Sequence, residues 1–265
     1  MKRELYIFWQ FCKRDMHVYR QRVLNYSINE IIIRPFMFGI AFGYLLPNLS
    51  ITGRLASHGI LFIGTIVYVL MSLASSIIID LWIDIDGPQH CTYQMSMLSP
   101  HLFLAQKLLC GTVVIFLCAI PVYPLAQILL GNPFPQLTLL RFPLLLLLLW
   151  CASLLIITFT CASLLFVQHL TQMRKFWRRW VHVLANFGGV VVPQQALITI
   201  IPLLGYFTYA NPLMYITEGL RQVLIGGPTF LSAPMSLAGM LVSTVLLFVI
   251  AFYKLRSRLD PLDIL

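Results

Sequence analysis

The stretch Ala210-Asn211-Pro212-Leu213-Met214-Tyr215-Ile216-Thr217-Glu218-Gly219-Leu220-Arg221 places an acid and a base between two apolar runs. An ionisable group at membrane depth costs about 2.5–3.5 kcal/mol on insertion scales, so a charged pair at such a place needs a reason. Glu218 and Arg221 share one helical face and can pair. Two readings stay open: the pair neutralises itself and anchors its helix, or it contacts a substrate. The surrounding region, 199–234, is too apolar for a free loop, with Ile200, Ile201, Leu203, Leu204, Tyr206 and Phe207 at its start. It is also too broken for two full spans, being interrupted by Pro202, Asn211-Pro212 and Gly226-Gly227-Pro228. A pair of short helices re-entering one leaflet, hidden from lipid by neighbouring spans, satisfies both constraints.

Outward from this segment the chain is mostly hydrocarbon. Of 265 residues 59% are hydrophobic and 10% charged, against about 25% charged in ordinary globular chains. The expected fold class is an all-α membrane protein with six transmembrane helices. The spans are expected at 31–47, 59–79, 102–125, 142–167, 180–198 and 237–253. The fifth is the weakest, because Gly188-Gly189 and Pro193 interrupt it.

The formal charge of +9 does not form a nucleic-acid patch, because the basic residues sit at the ends of apolar runs. Lys2, Arg3, Lys13, Arg14, Arg20, Arg22 and Arg34 precede or enter the first span; Arg174, Lys175, Arg178 and Arg179 lie between the fourth and fifth. By the positive-inside rule both termini and the 169–179 loop are expected in the cytoplasm. The centres of the second, third, fourth and sixth spans are read as free of ionisable residues, which argues against proton coupling.

The N-terminal segment 1–26 is expected to be an amphipathic helix. Leu5, Phe8, Trp9, Cys12, Met16, Tyr19 and Val23 recur at spacings of three and four, with Arg3, Lys13, Arg14 and Gln21 largely opposite. A basic helix of this kind lies in the membrane interface; the alternative is a helix packed on another domain. No removable signal peptide is expected, since no short apolar core precedes a small-residue cleavage site. The main membrane domain is expected over 27–258, with a cytoplasmic tail at 259–265.

Six cysteines show no CxxC spacing, and the six histidines are scattered. Neither set indicates a disulfide framework, a metal site or an active site. No Walker A sequence is present, so ATP hydrolysis by this chain is not expected. Asp80, Asp84 and Asp86 enter a loop between the second and third spans. Paired aspartate clusters bind magnesium pyrophosphate in membrane transferases, but no second cluster exists here. Docking of a cytoplasmic partner is the alternative use of this loop.

Two motifs resemble those of the membrane permeases of ABC-2-type (type II) ABC exporters. One is Gly188-Gly189…Pro193 followed by Asn211-Pro212…Tyr215…Glu218-Gly219-Leu220-Arg221; the other is Met97-Leu98-Ser99-Pro100…Gln106-Lys107-Leu108. With the amphipathic helix, the six spans and the re-entrant segment, the resemblance covers nearly the whole chain. It implies a permease subunit that exports an amphiphilic substrate (drug, lipid, lipo-oligosaccharide or polysaccharide) across the cytoplasmic (inner) membrane. It also implies a second permease copy, identical or related, and a separate ABC ATP-binding subunit that carries ATP and magnesium.

Carried over to this sequence, the resemblance implies ATPase coupling through Asp84, Asp86, Thr92, Ser99 and Pro100. Gly189, Pro193, Asn211, Pro212, Tyr215, Glu218 and Arg221 would form the re-entrant and translocation element. Acidic residues stand only at the front of the 84–94 stretch, where the family carries them throughout; that departure implies a divergent or dedicated ATPase. Other functions compatible with the composition are a gradient-driven secondary transporter and an aspartate/magnesium-dependent transferase.

Overall fold

A helix needs about 20 apolar residues to cross a bilayer, and among the described residues four helices meet that length: Gly59–Ile79, Pro100–Ala119, Phe142–Leu165 and Ala233–Ser257. The chain is a multi-pass α-helical membrane protein. The computed structural model describes residues 2–27, 33, 37, 56–86, 98–129, 134–136, 138, 140–167, 172, 175–190 and 193–259. Among these the elements are α1 (Lys2–Ser27), α2 (Ala56–Asp86), α3 (Pro100–Ala119), α4 (Val122–Leu129) and α5 (Phe142–Leu165). There follow α6 (His182–Ala185) flanked by π turns at Trp177–Val181 and Asn186–Val190, then α7 (Gln194–Ile200) and α8 (Pro202–Phe207). A 3-10 turn (Thr208–Ala210), α9 (Pro212–Leu224) and α10 (Ala233–Leu259) complete the order.

Helix α5 is the hub, packing on α2, α3, α9 and α10. Its apolar stretch is 72% buried, against 22% for α10, so α5 is central and α10 peripheral. Leu145, Leu148, Leu149, Ala152, Leu155 and Ile156 fill the middle of the core. The hydroxyls of Ser153, Thr158 and Thr160 donate to the carbonyls of Leu149, Leu154 and Ile156, each at 2.7 Å. These three hydroxyls are therefore satisfied within the helix itself. α10 turns Leu241, Val242, Val245, Leu246 and Val249 outward, the pattern of a helix facing lipid or another chain.

Several sequence expectations are corrected. The third span stops at Ala119 rather than 125, because the chain turns at Ile120–Pro121 before α4; proline lacks the N–H needed to continue the ladder. The interruption expected in the fifth span, 180–198, is a backbone break. Gly188 (φ −77°, ψ 20°) and Gly189 (φ 81°, ψ 8°) leave helical geometry, and Pro193 begins the separate helix α7. The aspartate segment is not a loop from residue 80 onward, since α2 runs unbroken to Asp86. The first predicted span falls almost wholly outside the described residues, as does the tail beyond 259.

Residues Lys2–Ser27 form helix α1, which packs on α3. Only part of its apolar stripe is covered: Cys12 and Tyr19 are buried, while Leu5 and Trp9 are exposed. In the same helix, whose one other acid is Glu4, Asp15 is buried to 4% exposure. Its Oδ2 meets Lys107 Nζ at 2.8 Å and accepts from Gln106 Nε2 at 2.9 Å. Lys107 is itself buried within the α3 span, on the N-terminal side of the centre expected to be free of ionisable residues.

Candidate functional site

The site forms around the stretch quoted first, and its geometry begins with a cap. Asn211 has extended backbone angles and its side chain accepts from the Leu213 N–H at 3.1 Å, with Pro212 at the first helical position. This arrangement starts α9 with a donor satisfied and a residue that lacks one. The Asn211 amide Nδ2 also donates to the carbonyl of Leu184 at 2.6 Å, tying the helix start to α6.

One turn further along, Thr217 Oγ1 donates to the Gly188 carbonyl at 2.8 Å. One more turn brings Arg221, 0% exposed. Its Nη1 donates to Glu218 Oε1 at 2.9 Å. Its Nη2 donates to the carbonyls of Gly189, Ile60 (3.2 Å) and Val190 (3.5 Å). Glu218 Oε1 accepts a second bond, from the backbone N–H of Gln194 at 3.2 Å, where α7 leaves Pro193. The charged pair thus holds the C-terminal side of the Gly188-Gly189 kink and reaches α2, while Asn211 and Thr217 hold Leu184 and Gly188 on its N-terminal side. Arginine suits this work because its planar fork offers several donors in fixed directions.

The kink explains the glycines. A residue at φ 81° favours glycine, and a Cβ on Gly189 would stand 2.6 Å from Thr217 Oγ1. Gly64 of α2 faces the same turn, and a Cβ there would overlap the Val190 carbonyl group. Gly64→Val is therefore expected to separate α2 from the Asn186–Val190 turn. Size-exclusion chromatography in mild detergent should show loss of monodisperse protein, whereas Thr229→Ala, at an exposed turn residue, should behave like the parent.

Four buried atoms of this region have no hydrogen-bond partner among the described residues: Glu218 Oε2, Arg221 Nε, Gln194 Nε2 and Gln222 Oε1. Such groups are costly when unpaired. The arrangement can accept one further donor at Glu218, and it holds a bent segment in place. Among the described residues no three His, Cys, Asp or Glu gather as a metal site.

The predicted residues divide into two groups. Gly189, Pro193, Asn211, Pro212, Glu218 and Arg221 are brought into one buried unit. Tyr215 points elsewhere: its hydroxyl donates to the Tyr209 carbonyl at 2.8 Å and its ring packs on Gly239 of α10. Ser99 and Pro100 begin α3, with Ser99 Oγ 3.2 Å from His101 Nε2 and no side-chain cap bond. Asp84 and Asp86 lie in the last turns of α2; their side chains and Thr92 lie outside what the structure describes. Sequence reasoning missed Asp15. The signal was present, since one aspartate in a basic helix and a Gln-Lys pair in an apolar span are both anomalies that a shared partner resolves.

Comparison with family models, curated proteins and solved structures returns no match for this chain.

Proposed function

We propose that the chain is the membrane permease subunit of an ATP-driven exporter of the ABC-2 type, moving an amphiphilic substrate out across the cytoplasmic membrane. The observation that carries the reading is the buried clasp between Gly188-Gly189…Pro193 and Asn211-Pro212…Glu218…Arg221. The two parts of one motif that resembles the family signature, separated in sequence, meet as a single unit. In this reading the chain crosses the membrane six times with both termini in the cytoplasm. The short helices α7 to α9 re-enter the outer leaflet, and two permease copies enclose the route.

Energy enters from outside the chain. A separate ATP-binding subunit, with its own ATP and magnesium, docks under α1 and the end of α2, near Asp84 and Asp86. α1 is joined to α3 by the Asp15–Lys107 pair, so a push on α1 is passed to a membrane-embedded helix. ATP shifts the permease only by the difference in its affinity for the two states of the complex.

The experiment is affinity purification of the tagged chain in mild detergent, with mass spectrometry of co-purifying proteins. A stoichiometric P-loop ATPase, lost on Asp84→Asn/Asp86→Asn, is expected. A clean preparation without an ATPase overturns the reading. A gradient-driven carrier is then favoured by one observation, the buried Lys107 inside the α3 span, and counterflow in proteoliposomes lacking ATP tests it.

A further inference from the structure

Helices α1 and α3 touch where Cys110 Sγ meets the Cys12 carbonyl (3.9 Å) and where Lys107 meets Asp15. Beside this contact lies a groove of about 800 Å³. Its α3 wall is apolar, made by Leu109, Val113 and Leu117. Leu109 and Leu117 are 37% and 56% exposed within a span, so hydrocarbon is the medium they meet. Its α1 side carries Lys13, His17 and Arg20, spaced by four and three and hence on one stripe of the helix. All three are exposed and form no ion pair or hydrogen bond among the described residues. Asp15, the nearby acid, is turned away to Lys107 and Gln106 and does not neutralise them.

We propose that this groove is a binding site for one anionic glycerophospholipid of the surrounding bilayer. An acyl chain lies along Leu109, Val113 and Leu117, and the phosphate meets Lys13, His17 and Arg20. Charge complementarity selects the headgroup: the Lys13 and Arg20 cations, with the His17 ring on the same stripe, attract a lipid with net negative charge and disfavour one that brings its own cation. Trp9, 57% exposed at the groove, suits the headgroup boundary, where amphipathic aromatic rings concentrate. This site goes beyond the exporter reading and does not need it.

The test is native mass spectrometry of the purified full chain in nonionic detergent, titrated with phosphatidylglycerol, phosphatidylcholine or inorganic phosphate. Saturable retention of one phosphatidylglycerol is expected, with weaker phosphatidylcholine and no effect of phosphate. Lys13→Gln/Arg20→Gln should weaken retention about 30-fold, taking two basic contacts near a charged surface at their usual strength. Leu117→Trp, which fills the groove without touching the charges, should also reduce retention. Lys175→Gln/Arg179→Gln, which removes two exposed charges elsewhere, should leave it unchanged. Equal retention of both lipids, unchanged retention by Lys13→Gln/Arg20→Gln, competition by free phosphate, or an equal loss in Lys175→Gln/Arg179→Gln overturns the proposal.

Discussion

Arg221→Leu is expected to lower the apparent melting temperature in mild detergent by about 10 °C, the largest effect of any single side-chain truncation in α9. The change removes every donor that Arg221 Nη1 and Nη2 supply to Glu218, Gly189 and Ile60. It leaves a carboxylate buried at 1% exposure without its counter-charge. Breaking a buried pair in this way costs about 3–5 kcal/mol, and about 2–4 °C follows from each kcal/mol in a chain of this size. Arg221→Lys keeps the charge but not the fork, so it should fall between the parent and Arg221→Leu. Glu218→Gln/Arg221→Leu should lose less than the two single changes added together, because the groups act as a unit. An unchanged melting temperature in Arg221→Leu would remove the anchoring role and leave substrate contact as the reason for the pair. Flux assays divide the same two readings from the other side: Glu218→Gln that folds normally yet loses transport points to cargo.

The second large effect is expected at Asp15 and Lys107. Their side chains are 6% and 5% exposed and 2.8 Å apart, so each truncation uncovers a buried charge. Asp15→Ala should be the more damaging, because Arg14, Gln106 and Lys107 all converge on that carboxylate. Lys107→Met leaves Arg14 and Gln106 in place and should cost less. Asp15→Leu/Lys107→Met should recover most of the loss, since an apolar pair of similar volume often matches a buried ion pair. In Asp15→Ala, loosening of α1 should expose Cys12, which is buried at 6%, and peptide mapping after maleimide labelling reads that directly.

The same carboxylate gives a pH signature with a definite sign. Burial pushes the Asp15 pKa up, but the Lys107 ammonium, the Gln106 amide and Arg14 outweigh it, and the net position is below the ordinary aspartate value. A carboxyl whose pKa is depressed by folding contributes stability above its unfolded value, about 3.9. That contribution is lost as pH falls through the lower folded value. Melting temperatures of the parent should therefore drop faster below about pH 4 than those of Asp15→Leu/Lys107→Met. Parallel curves for the two proteins would mean that the pair contributes nothing to α1 docking.

Length and hydropathy made four helices legible, because a helix that must cross about 30 Å of hydrocarbon announces itself over twenty residues. The start of α9 was equally legible, since Asn211-Pro212 is a cap followed by the residue that needs no donor. The interruption of the fifth span was legible too, in Gly188-Gly189 and Pro193, but not the geometry it takes: Gly188 and Gly189 both leave helical angles, the second at φ 81°. The aspartates at the end of α2 were misplaced because charge alone was taken as a loop signal, yet a helix can carry its last turns into the polar zone.

Sequence alone determined what is local here: the membrane class, the apolar helices, and a Glu218–Arg221 pair that one helical turn brings together. Only the tertiary structure decided what that pair holds, because the carbonyls of Ile60 and Gly189 are 161 and 32 residues away from Arg221. It likewise decided that Asp15 seeks Lys107. Hydropathy and periodicity encode contacts within a turn or two of helix. A buried charge is satisfied by whichever chain folding brings within 3 Å or so of it, and that partner has no fixed place in the sequence.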